Sequence, residues 1–309
     1  METKIPTTAA ATATATADDL QVVEEEYRFK FLWQGHLFLA YNKGCPRYGD
    51  FYKSKPDFYP VLSPSGREVT LSSAHRYNHH HSIWIGHAKV NGINVFHDNN
   101  PARANLGDVV LEQASAGYAG HVGLPGGPAA WLQTVNGWVA KTGRRLMTER
   151  REVVVRPGVH GGRAHAIDLL SELQATEGPV ELGQDAHAYL GVRVADTIDE
   201  EDGGRITNSN GQQTEAECMR QVAAWCDYSG LVAGEPVGVT VMHSPADPPR
   251  AFFTRAYGTM LSNPTLLAPA HIPAGERLVQ RWRILVHEGD ASRFPIQAAY
   301  DAYVSGDEV

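Results

Sequence analysis

Two runs, "RLMTERREVVVR" at residues 145–156 and "AIDLLSELQAT" at 166–176, set the fold class. Both read as long strands, built from period-2 alternation and short apolar runs, with no helical repeat between them. The same signature recurs in "YRFKFLW" (27–33), "HLFLAY" (36–41), "REVTLSS" (67–73), "HSIWIGH" (81–87) and "GDVVLEQA" (107–114). It continues in "YLGVRVAD" (189–196), "PVGVTVMH" (236–243) and "LVQRWRILVH" (278–287). Strands in this number, without alternating helices, predict an all-β protein, a large antiparallel β-sandwich with few short helices. "VNGIN" (90–94) carries the Asn-Gly signal of a hairpin turn. The best helix pattern is "SRFPIQAAYDAYVSG" (292–306), with Pro295 early and Gly306 late, as helix ends prefer.

The start, residues 1–19, is Ala/Thr-rich without a basic segment leading into an apolar one, and is expected to be a disordered tail. Residues 20–309 read as a single domain, since no Pro/Ser linker divides them and "AGHVGLPGGPAA" (119–130) fits a long loop between strands. Acidic residues exceed basic ones, 35 to 27, with no basic run, which argues against nucleic acid or an anionic membrane as partner. No window approaches the ~18 consecutive apolar residues of a membrane helix. Cys45, Cys218 and Cys226 are odd in number and lack a close pair, which fits free thiols in a reducing cytoplasm. The partner expected is a small-molecule substrate, and the sequence leaves a homo-oligomer open.

Chemistry concentrates in "AHRYNHHHSIWIGHAKVNGINVFHD", residues 74–98, which holds six of the chain's 14 histidines. If 79–87 is one extended strand, His79, His81 and His87 share a face, opposite His80 and Trp84. The pair His79 and His81 could chelate a divalent metal, with His87 and Glu112 completing the set. Proton transfer is the other reading, because imidazole exchanges protons near neutral pH. The plainer reading is that some of these histidines are hydrogen-bonded anchors, although six together are hard to satisfy as buried polar groups without purpose.

"YGDFYKSKPDFYPVLSPSG" (48–66) sets rings beside Lys53, Lys55 and Asp57, which suits a polyhydroxylated ring. Arg193, in an apolar strand with His187 and Tyr189, needs a carboxylate from the protein or from a substrate. His243 ends a strand before a Pro-rich loop that leads to Arg255 and Tyr257. Phosphate loops, nucleophile elbows, HExxH helices and dinucleotide fingerprints are absent.

The segment "KPDFYPVLSPSGREVTLSSAHRYNHHHSIWIGHAKVNGINVFHD" resembles the DUF6807 family, also labelled PmoA-like. The pattern falls on Lys55, Pro56, Pro60, Ser63, Pro64, Gly66, His79, His80, Trp84, His87, Val90, Asn91 and Gly92. Further matches lie at Arg193, at Asn208 and Gly211, at Trp225 to Gly230, and at Tyr257, Gly258, Asn263 and Pro264. The resemblance covers roughly 35–290 and implies a β-sandwich like the sugar-active mutarotase supersandwiches. Methane oxidation does not follow from the label, because the chain has no apolar span of a membrane oxygenase subunit. Where relatives often carry Lys-Glu-Gly, this chain has Ala186, His187 and Ala188; if that Glu is a catalytic carboxylate in relatives, His187 implies altered chemistry or a different substrate. "AHRYN" also stands where Asp-His-Pro is the pattern.

The expectation is therefore an enzyme performing histidine acid–base chemistry, of lyase, isomerase or hydrolase type, on a carbohydrate-like or oxygenated cyclic small molecule. His80 or His87 would move the proton, opposed by His187 or His243. Lys55, Tyr59, Asn91, Glu112, Arg193, Asn208, Trp225 and Tyr257 would contact the substrate. No cofactor is expected. A metalloenzyme built on His79, His81 and His87, and a non-catalytic small-molecule binder, are the alternatives.

Overall fold

The computed structural model describes residues 15–17, 20–44, 53–74, 76–98, 106–119, 128–248 and 250–306. Among these, two large sheets carry the fold. The first has nine strands, in spatial order Ala15–Ala17, Leu20–Glu24, Arg28–Trp33, His36–Asn42, Asp57–Val61, Ile83–His87, Ala188–Arg193, Thr259–Asn263 and Ala251–Arg255. The second has eight, in the order Arg205–Asn208, Trp225–Val232, Glu235–His243, Arg277–Glu288, Ala164–Gln174, Arg145–Gly158, Ala129–Ala140 and Gly107–Ala119. Neighbouring strands pair antiparallel in both. The chain thus forms the large antiparallel sandwich that its strand pattern predicts.

Alternation explains the core. Ile83, Ile85, Val192 and Met260 turn inward from the first sheet and join Val153, Val155, Ile167, Leu169, Ile284 and Val286 of the second in one buried cluster. A polar knot sits within it. Arg151 and Glu149 form a buried ion pair at 2.9 Å, and Ser171 links Glu149 to the Tyr189 hydroxyl.

The residues between the inward ones face out of the sandwich. Register puts Trp84, Gly191, Leu261 and Phe253 side by side across four strands of the first sheet. The Trp84 ring lies against Gly191, where a Cβ would come within 2.5 Å of it, so only glycine leaves room there. Trp84 and Leu261 bury against Phe96 in a separate apolar cluster that Phe253 flanks. On the far side of the molecule, the helix Ile296–Ser305 covers the second sheet through Phe294, Ile296 and Ala299, packed on Trp225 and Leu285. Its ends are Pro295 and Gly306, with Gly306 left-handed at φ 75°.

Some local readings differ. "REVTLSS" is not one strand: bridges at Leu62–Glu68 and Thr70–Val194 precede a short strand, Ser72–Ala74. The extended run 79–87 breaks at Ser82, whose φ of 53° is left-handed, so Tyr77–His81 and Ile83–His87 are separate strands and the assumed alternation does not cross the break. Within the segment read as a tail, Ala15–Ala17 pairs with Leu20–Val22. The Asn-Gly turn forms as read, with Asn91 at φ 48°, Gly92 at φ 77° and Val90 bridged to Ile93. Cys218 and Cys226 are free and buried, and Cys45 lies outside the described residues. Among the described residues, no helix is long and apolar enough to cross a membrane.

Candidate functional site

Leu261 and Phe253 of the outward row line a cleft of about 180 Å3. One wall is imidazole. His80, His79, His97 and His187 follow one another with ring centroids 4.5, 4.7 and 4.8 Å apart. The other wall is aromatic, where Tyr77 meets Tyr257 at 4.5 Å and Phe253 continues the surface. Backbone placement explains the assembly. His80 stacks between Tyr77 and Trp84, at 5.1 and 5.3 Å. The segment carrying Phe96 and His97 crosses Gly86 so closely that a Cβ there would meet the Val95 carbonyl at 3.0 Å. A second compartment of about 310 Å3, lined by Ala88, Asn94, Asp185 and Ala186, adjoins the first at His97 and His187.

His187 is the chemically distinctive group. Its side chain is 27% exposed, and its Nδ1 lies 2.9 Å from Asp185 Oδ1, which also accepts the His187 backbone N–H at 2.9 Å. Burial opposes ionisation of Asp185, but the hydrogen bonds from His187 and the Lys89 ammonium hold its carboxyl well below the usual range. An ionised carboxylate only accepts, so Nδ1 carries the proton and donates it. In the neutral ring Nε2 is then the basic nitrogen.

The other imidazoles are tuned differently. Burial, with Lys55 next, pushes His79 down to about 3. Burial, with His79 next, pushes His80 well below its ordinary value. Both rings are therefore neutral near pH 7. His80 Nδ1 meets the Thr259 hydroxyl at 3.1 Å. His79 Nδ1 is buried with no hydrogen-bond partner among the described residues.

Behind this wall lies a buried charge cluster. Lys55 Nζ donates to the Phe96 carbonyl at 2.7 Å and to Asp98 at 3.0 Å. His81 also bonds Asp98 through Nε2, and Ser54 donates its backbone N–H to the same carboxylate at 3.0 Å. Burial alone would raise Asp98, but Lys55 and His81 hold it well below the ordinary range. The cluster ties the backbone at Phe96 and the Asp98 side chain to Lys55, His81 and Ser54.

Of the side chains singled out in the sequence, His79, His80, His187 and Tyr257 meet in the cleft. Arg193 stands behind Tyr257, 5.7 Å from its ring, and is held by Asp196 at 2.5 Å. The others lie elsewhere. His87 is buried in the sheet, accepting the Lys89 N–H at Nδ1 and meeting Thr265 Oγ1 at Nε2, both at 2.9 Å. His243 is buried between the Ala223 carbonyl (3.0 Å) and Ser262 (2.7 Å) and stacks on Phe252. Lys55 is the buried anchor just described, and Tyr59 is raised to about 12 by burial and by Glu68, outside the cleft. Asn91 braces its turn against Glu181 and Pro179. Asn208 closes a turn on Gln212, and Trp225 donates to Gln297 of the terminal helix at 2.9 Å. Glu112 sits on the second sheet, paired with Arg145.

His79, His81 and His87 thus face the cleft, Asp98 and Thr265 respectively, and do not converge. Among the described residues, no three His, Cys, Asp or Glu side chains gather to hold a metal ion. Tyr77, His97, Asp185 and Phe253 were not singled out as site residues. His97 belongs to the histidine-rich stretch 74–98, and Asp185 carries a local signal of its own, since the spacing Asp-x-His lets a carboxylate turn back to the ring two residues on.

The chain is similar to a solved α-galactosidase from Lactobacillus brevis at 7% identity and a TM-score of 0.46, covering 93% of this chain and 42% of that enzyme's. That likeness is too slight to carry an argument. No protein of curated function matches the sequence. Residues 28–301 match the family model DUF6807, a family of unknown function, and the chain belongs to that family.

Proposed function

We propose that the protein is an enzyme performing histidine acid–base chemistry on an oxygenated cyclic, carbohydrate-like small molecule, of lyase, isomerase or hydrolase type. The observation that carries this reading is the Asp185–His187 pair, a partly exposed imidazole fixed by an ionised carboxylate in the lining of a ring-walled cleft. His187 Nε2 takes the proton, and Asp185 fixes the tautomer and stabilises the imidazolium that results. The neutral rings of His79 and His80 offer N–H groups to oxygen that gains negative charge, at no cost in like-charge repulsion. Tyr77, Phe253 and Tyr257 supply faces on which a ring can lie.

The test is incubation with monosaccharides, uronic acids, sugar lactones and cyclic ketones in D2O, read by proton NMR for deuterium uptake and new products. Conversion by the native protein, reduced about a hundredfold or more in His187→Gln, is the result expected. Undiminished turnover in that variant removes His187 from the chemistry. Thermal stabilisation by ligands that are never converted or exchanged makes the protein a binder instead.

A further inference from the structure

We infer that Asn263 is a positioning residue for the Asp185–His187 pair: it holds the backbone that carries the carboxylate, and Thr265 and His87 lock its amide. The catalytic consequence rests on the reading that this pair reacts; the geometry does not. Residues 183–187 lie between the strands Val180–Leu182 and Ala188–Arg193, outside the sheet ladders, so other groups must tie them down. Asn263, buried at the end of the strand Thr259–Asn263, donates from Nδ2 to the Asp185 carbonyl at 2.8 Å and to the Ala186 carbonyl at 3.3 Å. The Asp185 N–H donates to the Thr265 carbonyl at 3.2 Å. With Oδ1 on His187 and Oδ2 3.2 Å from the Lys89 ammonium, every polar group of Asp185 is engaged.

Hydrogen-bond polarity allows one arrangement around Asn263. The Thr265 N–H can only donate, and it meets Oδ1 at 2.8 Å. The two carbonyls at Nδ2 can only accept, so the amide cannot flip. Behind it, the Lys89 N–H donates to His87 Nδ1 at 2.9 Å, which leaves the proton of the neutral ring on Nε2. That N–H donates to Thr265 Oγ1 at 2.9 Å, and the Thr265 hydroxyl donates onward to Asn263 Oδ1 at 3.0 Å. His87, Thr265 and Asn263 are all buried, where such a chain is strong. Lys89 closes the circuit, with its backbone on His87 and its ammonium at Asp185. His87 thus serves the pair from outside the cleft. Releasing Asn263 frees the Asp185 backbone, and with it the carboxylate that keeps the proton on His187 Nδ1.

Long-range proton–nitrogen NMR of histidine-labelled native protein tests this without a ligand, at mildly alkaline pH where imidazoles are neutral. His187→Gln identifies the His187 signals. The native protein should show a single tautomer, protonated at Nδ1, and Asn263→Ala should turn it into a mixture with the Nε2–H form. Thr265→Val, which keeps bulk but removes the hydroxyl link, should do so in part. Thr265→Ser, which keeps the hydroxyl, should retain the single form. For any compound converted in the deuterium assay, Asn263→Ala should lower kcat about tenfold or more with KM within about twofold, because Asn263 lines neither compartment. A mixture already present in the native protein overturns the inference. So does a folded Asn263→Ala of lowered melting temperature and unchanged tautomer, the mark of a purely structural role. Should that variant not fold, an unchanged tautomer in Thr265→Val overturns it. The two readings fail separately. A mixture in Asn263→Ala, with no compound converted by the native protein, sinks the acid–base reading alone. An unchanged tautomer, in a protein whose turnover needs His187, sinks the positioning role alone.

Discussion

His87 and His187 are both imidazoles next to an oxygen partner, yet they stand in opposite situations. His87 is fully buried with both nitrogens engaged, and burial pushes it down to about 4. His187 reaches solvent and the cleft. His87→Ala should therefore cost about 2–4 kcal/mol of stability, through a cavity and stranded partners at Thr265 and Lys89. His187→Ala should stay within about 1 kcal/mol. Urea denaturation of the two variants measures the contrast, and equal losses would contradict it. Sequence density drew attention to the right stretch but could not assign its members. Which way His79, His80 and His81 point depends on the left-handed backbone at Ser82, and serine gives no local notice of that conformation. His97 is held within its own segment, where its backbone N–H donates to Asn94 Oδ1 at 3.2 Å and its Nδ1 lies 3.1 Å from the Asn94 side-chain nitrogen.

Among the elements, the strand Ala188–Arg193 makes the outer face usable. Gly191 is the gap in which Trp84 lies, and Trp84 supports His80. Gly191→Ala should displace the indole, costing about 1–3 kcal/mol as overpacking and altering the near-ultraviolet circular dichroism of the Trp84–Phe96 cluster. An unchanged spectrum and stability would show that the ring has room to move. Elements of this kind were largely legible. Arg145–Gly158, Ala164–Gln174 and Arg277–Glu288 match their alternating runs closely, and the terminal helix sits between its Pro and Gly as read. Strands such as Thr259–Asn263 and Trp225–Val232 were harder to see, since they mix polar residues with apolar ones and are buried on both faces for much of their length.

Across the whole molecule, buried histidines set the response to acid. Burial lowers His79 and His243 to about 3, and His87 and His165 to about 4. Unfolded, each titrates near 6.5. Between these values the unfolded chain binds protons that the folded one does not, so stability falls as pH drops below about 6.5. Each such histidine adds a slope of up to about 1.4 kcal/mol per pH unit. Asp98 and Asp185, held low in the fold, extend the loss below about pH 4, where the unfolded carboxylates take up protons first. Asp199, raised to about 6 by burial, works in the opposite sense but is one group against several. Urea midpoints should therefore fall steadily from pH 6.5 to pH 4, and a flat profile would contradict these assignments.

The cleft is drawn from three regions far apart in the chain, around 77–98, 185–187 and 253–261. None of them can position its side chains until the sheet beneath them has closed, and antiparallel sandwiches close late because their contacts span long loops. Ligand recognition in such a molecule is a readout of completed assembly. On refolding, it should return with the last phase of structure formation, after the secondary-structure signal has already recovered.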